Sequence, residues 1–332
     1  MIPGKDRNRQ LNSGAPSGWH NVKPEIATLE CDRNDKPLIY AIVSTWHDAD
    51  IIYATVRNCF NNGIEKVFIL DNNSPDDTVS EALRAGAIIA EIYETEYYDD
   101  DLRIRKQNNF VKHIVETERH RELWFITLDA DELPSGYKDD TIQDTLGRLP
   151  GGIRTIGSKA IDLYPYNGQE YIPEKHPASC FTHGINRIAK FACNGKHWKH
   201  IALRYFNGRY DIAQSRGNHR PASPKMYSVV YGPAELELPI FHCPLRNKEA
   251  AIARLTELCH KKNDQGHHRS IGDDQVIQAQ GAIKRFNSIE SIYAGRWYEV
   301  ELPHSQLYGR NIVGICPLPW NRLQPTLTYL EI

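Results

Sequence analysis

Leu38-Ile39-Tyr40-Ala41-Ile42-Val43-Ser44 runs without a polar interruption until its closing serine, the pattern of a strand whose two faces are both covered by helices. Downstream, Asp48 is placed to cap a helix whose apolar positions Ile52, Val56, Cys59 and Phe60 recur at helical spacing until Gly63 ends it. A second strand, Lys66 to Leu70, stops at Asp71-Asn72-Asn73-Ser74-Pro75-Asp76, a cluster of turn formers. Thr78 to Ala85 then reads as a helix closed by Gly86, and Ala87 to Tyr93 as a third strand. Phe110, Val111, Ile114 and Val115 mark one face of a third helix, preceded by Arg103, Arg105 and Gln107; Trp124 to Leu128 is the fourth strand. Strands alternating with helices of this length imply right-handed β-α-β units. The expected fold is α/β, a Rossmann-like doubly wound, mostly parallel sheet with helices on both faces.

In such sheets ligands bind beyond the carboxyl ends of the strands. The first strand ends in Ser44, Thr45 and His47, the second in Asp71 and Asn73, and the fourth in Asp129-Ala130-Asp131-Glu132. All three clusters should line one crevice. On an extended backbone Asp129 and Asp131 share a side and repel unless a cation lies between them. Hard oxygen ligands of this kind suit Mg2+ or Mn2+, whose open positions the phosphates of a substrate can fill. No Gly-x-Gly-x-x-Gly follows the first strand and no Gly-x-x-x-x-Gly-Lys-Ser/Thr occurs, which speaks against a dinucleotide-binding dehydrogenase and a P-loop NTPase.

With 332 residues, 40% hydrophobic and 25% charged, the chain can bury a large core and exceeds a typical single domain. We divide it into an N-terminal arm (1–36, polar and without periodicity), a donor-binding half (37–136), an acceptor-side half (137–262) and a C-terminal extension (263–332). The formal net charge of −2 gives no reason to expect nucleic acid as a partner. No apolar run approaches the roughly 20 residues that cross a bilayer, and the N-terminus lacks the apolar core of a signal peptide, so a cytoplasmic protein without a transmembrane segment is expected. Seven cysteines with no Cys-x-x-Cys pair argue against a disulfide scaffold and a structural zinc site.

The segments Asp71-Asn72-Asn73-Ser74-Pro75-Asp76-Asp77-Thr78 and Leu128-Asp129-Ala130-Asp131-Glu132-Leu133 resemble the Asp-Asn-x-Ser-x-Asp and Asp-x-Asp-Glu motifs of GT-A-fold glycosyltransferases, the family-2-like group in particular. The resemblance covers about residues 37 to 136. It implies a metal-dependent transfer of a sugar from a UDP-, GDP- or dTDP-sugar to a hydroxyl of a glycan or small molecule, with inversion the common outcome. It places Asp71 on the nucleoside and Asp129 and Asp131 on the metal of the donor diphosphate, Asp131 being central to catalysis. Thr45, His47 and Asn73 are expected as further donor contacts, and Arg105 and Gln107, ahead of the third helix, are candidates to meet phosphate or ribose, the alternative being a solvated surface run; the family's usual Asn-Glu after the first strand is His47-Asp48 here.

Leu238 to Arg246 reads as a short strand delivering His242, with Arg246 close behind and an amphipathic helix (Ile252, Leu255, Cys259) following. It is similar to the His-Tyr-x-x-Arg-Ser segment of related glycosyltransferases, which implies His242 as a third metal ligand and Arg246 as a clamp on the departing diphosphate. Ser215-Arg216-Gly217-Asn218-His219 is similar to the Gly-Asn-His of the same group and makes His219 a candidate catalytic base; Asp162, Glu170, Glu174 and Asp211 are also eligible. Thr141 to Leu146 reads as a short helix and Gly152 to Leu163 as a strand, and Tyr164, Tyr166, Tyr171 and Trp198 could stack on sugar rings. Two other classes compete: a phosphatase of the haloacid-dehalogenase type, in which the Asp-x-Asp normally closes the first strand, and a non-catalytic sugar- or nucleotide-binding module.

Overall fold

The computed structural model describes residues 36–95, 99–118, 122–163, 169–181, 183–187, 199–218, 221–222, 232, 236–244, 246–247 and 316–317. Most of the proposed arm and C-terminal extension, and the expected helix after Arg246, lie outside them.

Four parallel strands form one half of the main sheet: β1 (Leu38–Thr45), β2 (Lys66–Asp71), β3 (Ile88–Ile92) and β4 (Glu122–Asp129), side by side in the order β4-β1-β2-β3. Alternation along each strand sends side chains to two cores. Ile39, Ala41, Val43, Val67, Ile69, Trp124, Ile126 and Leu128 meet α1 (Ile52–Asn61), α2 (Thr78–Arg84) and α4 (Ile142–Gly147) on one face. Tyr40, Ile42, Phe68, Leu70, Leu123 and Phe125 meet Val111 and Val115 of α3 (Asp100–Glu118) on the other. The α/β class, the parallel half and the covering of both faces are as expected from the sequence.

Gly63 and Gly86 follow α1 and α2 with φ of +81° and +100°, the left-handed exit that glycine adopts without a Cβ penalty. Asp48 does not cap α1 through its side chain; its carbonyl accepts from the Ile51 and Ile52 amides, while its carboxylate accepts the Trp46 amide at 3.0 Å. The helix expected to begin near Phe110 starts at Asp100 instead, so Arg103, Arg105 and Gln107 lie inside α3 rather than before it. Charged residues on the apolar stripe hid its first turns, because Arg103 is buried by pairing rather than by being apolar.

Beyond β4 the sheet is mixed, with most pairings antiparallel. β5 (Glu132–Pro134) follows immediately, then β6 (Thr155–Leu163), β7 (His183–Arg187), β8 (Lys199–Phe206), the β9–β10 pair (Ala213–Gln214 with Pro221–Ala222), β11 (Leu238–His242) and β12 (Cys316–Pro317). β8 runs antiparallel to β4, with Ile126 opposite Ala202, so it begins where β4 ends. β11 lies between β5 and β6 and sets His242 opposite Glu132. Thr141 caps α4 through a reciprocal bond pair with Asp144, as the Thr-x-x-Asp spacing allows.

The four-residue helix α5 (Pro177–Cys180) is capped by His176, whose Nδ1 accepts the Ala178 amide at 3.1 Å. Burial pushes this imidazole down from 6.5 to about 3. The folded state therefore keeps His176 neutral where the unfolded chain binds a proton, so stability present above about pH 6.5 is lost as pH falls towards 3. The loss should reach about 2 kcal/mol between pH 7 and pH 5. Denaturant unfolding at the two pH values checks this. His176→Asn, which keeps a capping oxygen, should shrink the difference by that amount, and an unchanged difference would show that His176 is not its source.

Candidate functional site

The register of the parallel strands puts the expected polar ends side by side. Thr45 pairs with Asp71 and Ser44 with Asp129, so Asp71 and Asp129 stand two strand spacings apart, about 10 Å, at one edge of the sheet. Asp71 is fully buried, and its carboxylate accepts from Thr45 Oγ1, the Ser74 amide and Ser74 Oγ, each at 2.7 Å. The same Ser74 hydroxyl accepts the His47 amide at 3.1 Å. His47 and Asn73 hold left-handed φ of 58° and 46°, so both strand exits fold back sharply and are tied together. Asp71 thus organises this knot, with at most about one of its four lone-pair sites left for another donor. Asn73 is exposed at the surface of the knot.

β4 stops at Asp129, and Ala130 and Asp131 form a turn before β5. Contrary to the expectation from the sequence, Asp129 and Asp131 therefore do not share a side through strand alternation; Asp131 belongs to the turn. The turn is held from behind by α1: Thr55 Oγ1 donates to the Ala130 carbonyl at 2.6 Å and Asn58 Nδ2 to the Pro134 carbonyl at 2.7 Å. Cys243, just after β11, donates its amide to the Asp131 carbonyl at 2.9 Å.

The two aspartates have different surroundings. Asp129 gives one oxygen to Arg103 Nη1 at 3.0 Å and the other to Lys199 Nζ at 2.8 Å. Arg103 is clamped in turn by Asp100, at 2.9 and 2.6 Å. Lys199 also donates to Glu132 Oε1 at 2.5 Å, and Glu132 Oε2 accepts the Asp129 amide at 3.2 Å. Withdrawal from water would raise the Asp129 carboxyl, but the charges of Lys199 and Arg103 prevail and hold it well below the usual carboxylate range. Burial pushes Glu132 up, with Lys199 opposing, while the two carboxylates overcome the burial of Lys199 and keep its ammonium above the usual lysine value. The cations that relieve the acidic cluster at Asp129 are thus the protein's own.

Asp131 faces His242, with Oδ2 to Nε2 at 3.7 Å, and Arg246 Nη1 is 4.0 Å away. Two ligand atoms each about 2.1 Å from one ion can lie up to about 4.2 Å apart, so the carboxylate and imidazole are spaced to share a cation. Among the described residues no three His, Cys, Asp or Glu side chains converge on one point. With two ligands from the described residues, an ion here would keep positions open for phosphate and water, the habit of Mg2+ and Mn2+. An imidazole in the set favours Mn2+ over Mg2+.

Several expected roles change. Arg246 is 1% exposed and donates Nη2 and Nε to Asp50 at 2.6 and 2.9 Å, Nη2 to Asp48 at 3.1 Å and Nη1 to the Cys243 carbonyl at 3.2 Å. Its fork is spent on fastening the segment after β11 to the start of α1, not on an open diphosphate site. Arg105 is exposed, two residues from Arg103 and from Gln107 on a helix that buries both, so it is not brought to the cleft. Gln107 is fully buried and donates to Asn218 Oδ1 at 3.0 Å. Asn218 and Gly217 take left-handed φ of 56° and 64°, which anchors the chain just before His219. His219 itself, with Tyr164, Tyr166 and Trp198, lies outside the described residues. Tyr171 packs on Phe181; Glu174 pairs with Arg84 and Asp211 with Arg154, while Glu170 is exposed. Lys199 and Asp50 carried no sequence signal, since a lysine opening a strand and an acid before a helix are ordinary surface patterns; Glu132 belonged to the acidic motif, but its pairing with Lys199 could not be read from it.

No protein-family model matches the chain. No curated protein matches it either. Among solved structures it is similar to a complex of glucosyl-3-phosphoglycerate synthase from Mycobacterium tuberculosis with Mn2+, uridine diphosphate and glucosyl-3-phosphoglycerate: 14% identity, 37% of this chain, 44% of that one, TM-score 0.25. It is also similar to mannosyl-3-phosphoglycerate synthase from Rubrobacter xylanophilus: 16% identity, 41% of this chain, 43% of that one, TM-score 0.24. The match spans less than half of either protein's length, and likenesses this slight carry no argument about activity. No helix among the described residues is long and apolar enough to cross a membrane.

Proposed function

We propose that the chain is a GT-A-type glycosyltransferase that moves a sugar from a nucleoside diphosphate sugar to a hydroxyl of a glycan or small molecule, using Mn2+ or Mg2+. One observation carries the reading: a carboxylate and an imidazole, Asp131 and His242, stand 3.7 Å apart at the carboxyl edge of a parallel sheet, where α/β folds bind their ligands. Asp131 and His242 would hold the ion. When bound, it supplies positive charge to a departing diphosphate. The chain's own residues do the rest. Lys199 and Arg103 offset part of the acidic charge at Asp129, which lessens the repulsion of an approaching phosphate, and the Thr45–Asp71–Ser74 knot holds the neighbouring loop in one shape. Asn73 and the half-buried His47, whose Nδ1 lies 3.8 Å from Asp76, are the groups of that loop that would meet a nucleoside. A base for the acceptor hydroxyl is needed as well, and His219, next to the anchored Asn218, is our candidate.

A panel of UDP-, GDP- and dTDP-sugars incubated with the protein, with and without Mn2+, tests the proposal. Metal-dependent release of a nucleoside diphosphate from at least one donor is expected. Release of inorganic phosphate from phosphomonoesters instead would favour the phosphatase class, and the absence of both activities a binding module.

A further inference from the structure

The Lys199 ammonium sits between Asp129 and Glu132 at 2.8 and 2.5 Å. These are the separations of charge-assisted hydrogen bonds, and they put the ammonium where a cation bridging the two carboxylates would lie. The Lys199 side chain is 3% exposed and Glu132 is fully buried, while the Asp129 side chain is 39% exposed, so the Lys199–Glu132 pair is balanced within the protein and solvent reaches the Asp129 side. Every part of the cage is fixed: Glu132 by the Asp129 amide, and the far oxygen of Asp129 by Arg103, which Asp100 clamps. Without Lys199 the Asp129 and Glu132 carboxylates would lose the cation that lies between them.

We infer that Lys199 stands in for a second divalent cation, so that the cleft takes a single exchangeable metal ion, at Asp131 and His242, while a protein ammonium fills the place between Asp129 and Glu132 and positions the turn. The first ion rests on the glycosyltransferase reading above; the Lys199 place stands on its own geometry. Its consequence is that Asp129 is paired and held in one orientation whether or not the exchangeable ion is present.

The test is the number of Mn2+ ions bound by the full chain, titrated with Mn2+ alone and followed by calorimetry and by loss of the free-ion electron paramagnetic resonance signal. Lys199→Ala should bind one Mn2+ more than wild type, and the double variant Lys199→Ala, Glu132→Gln should lose that extra ion. A lysine with a merely structural role would lower stability in both variants and leave the number unchanged. Equal numbers in wild type and Lys199→Ala overturn the inference. Should Lys199→Ala be unfolded without metal, its melting with and without millimolar Mn2+ decides instead: recovery of folding in the single variant but not in the double one supports the inference, and no metal-dependent recovery overturns it. Because the readout is a difference, it does not depend on whether wild type binds an ion at Asp131 without a diphosphate. Failure of the glycosyltransferase reading shows separately, in the donor panel.

Discussion

Asp131→Asn is expected to lower metal-dependent release of nucleoside diphosphate by a factor on the order of 10²–10³, the usual cost of removing one group that stabilises charge in a transition state. The substitution keeps the side chain's size and removes only its charge. The contact that binds the turn to β11 runs from the Cys243 amide to the Asp131 carbonyl, which a side-chain change leaves in place. Melting temperature should therefore move little while activity falls. Asp129→Asn should behave in the opposite way, because it leaves the buried Arg103 and Lys199 short of a counter-charge. Comparing kcat, KM for Mn2+ and melting temperature in the two variants separates the roles that the sequence motif treats as one. Full activity in Asp131→Asn would remove the basis of the metal reading.

Arg246→Met is expected to cost about 3–5 kcal/mol, the range for breaking a buried ion pair by removing one partner. The guanidinium joins Asp48 and Asp50, beside α1, to the segment after β11, a link across 198 residues of sequence. Its loss takes the Arg246 cation from Asp48, itself buried. For a chain of this size the melting temperature should fall on the order of 10 °C. The Arg246→Met, Asp48→Asn, Asp50→Asn triple variant should recover part of the loss, since the stranded charges go with the cation. Thermal unfolding followed by circular dichroism measures both. A side chain that served only to grip diphosphate would show unchanged melting and a raised donor KM instead.

The neighbourhoods of Asp131 and Arg246 also show where sequence reading reached its end. Strand ends are local: an apolar run that stops at polar residues identifies its own carboxyl end, so Thr45, Asp71 and Asp129 could be placed on one edge before any contact was known. Which groups face one another there depends on elements far apart in the chain. Lys199 reaches Asp129 only because β8 runs antiparallel to β4 and starts where β4 stops. His242 reaches Asp131 only because β11 slots between β5 and β6.

Local periodicity and turn chemistry were enough to establish the α/β class, the four parallel strands and the acidic cluster at the end of the fourth, because each follows from side chains a few residues apart obeying the geometry of helix and strand. The division of labour between the two aspartates, the diversion of Arg246 to Asp48 and Asp50, and the ammonium beside Asp129 came only with the tertiary structure. A charge's partner is set by distance in space, and in a mixed sheet that distance bears no fixed relation to separation along the chain.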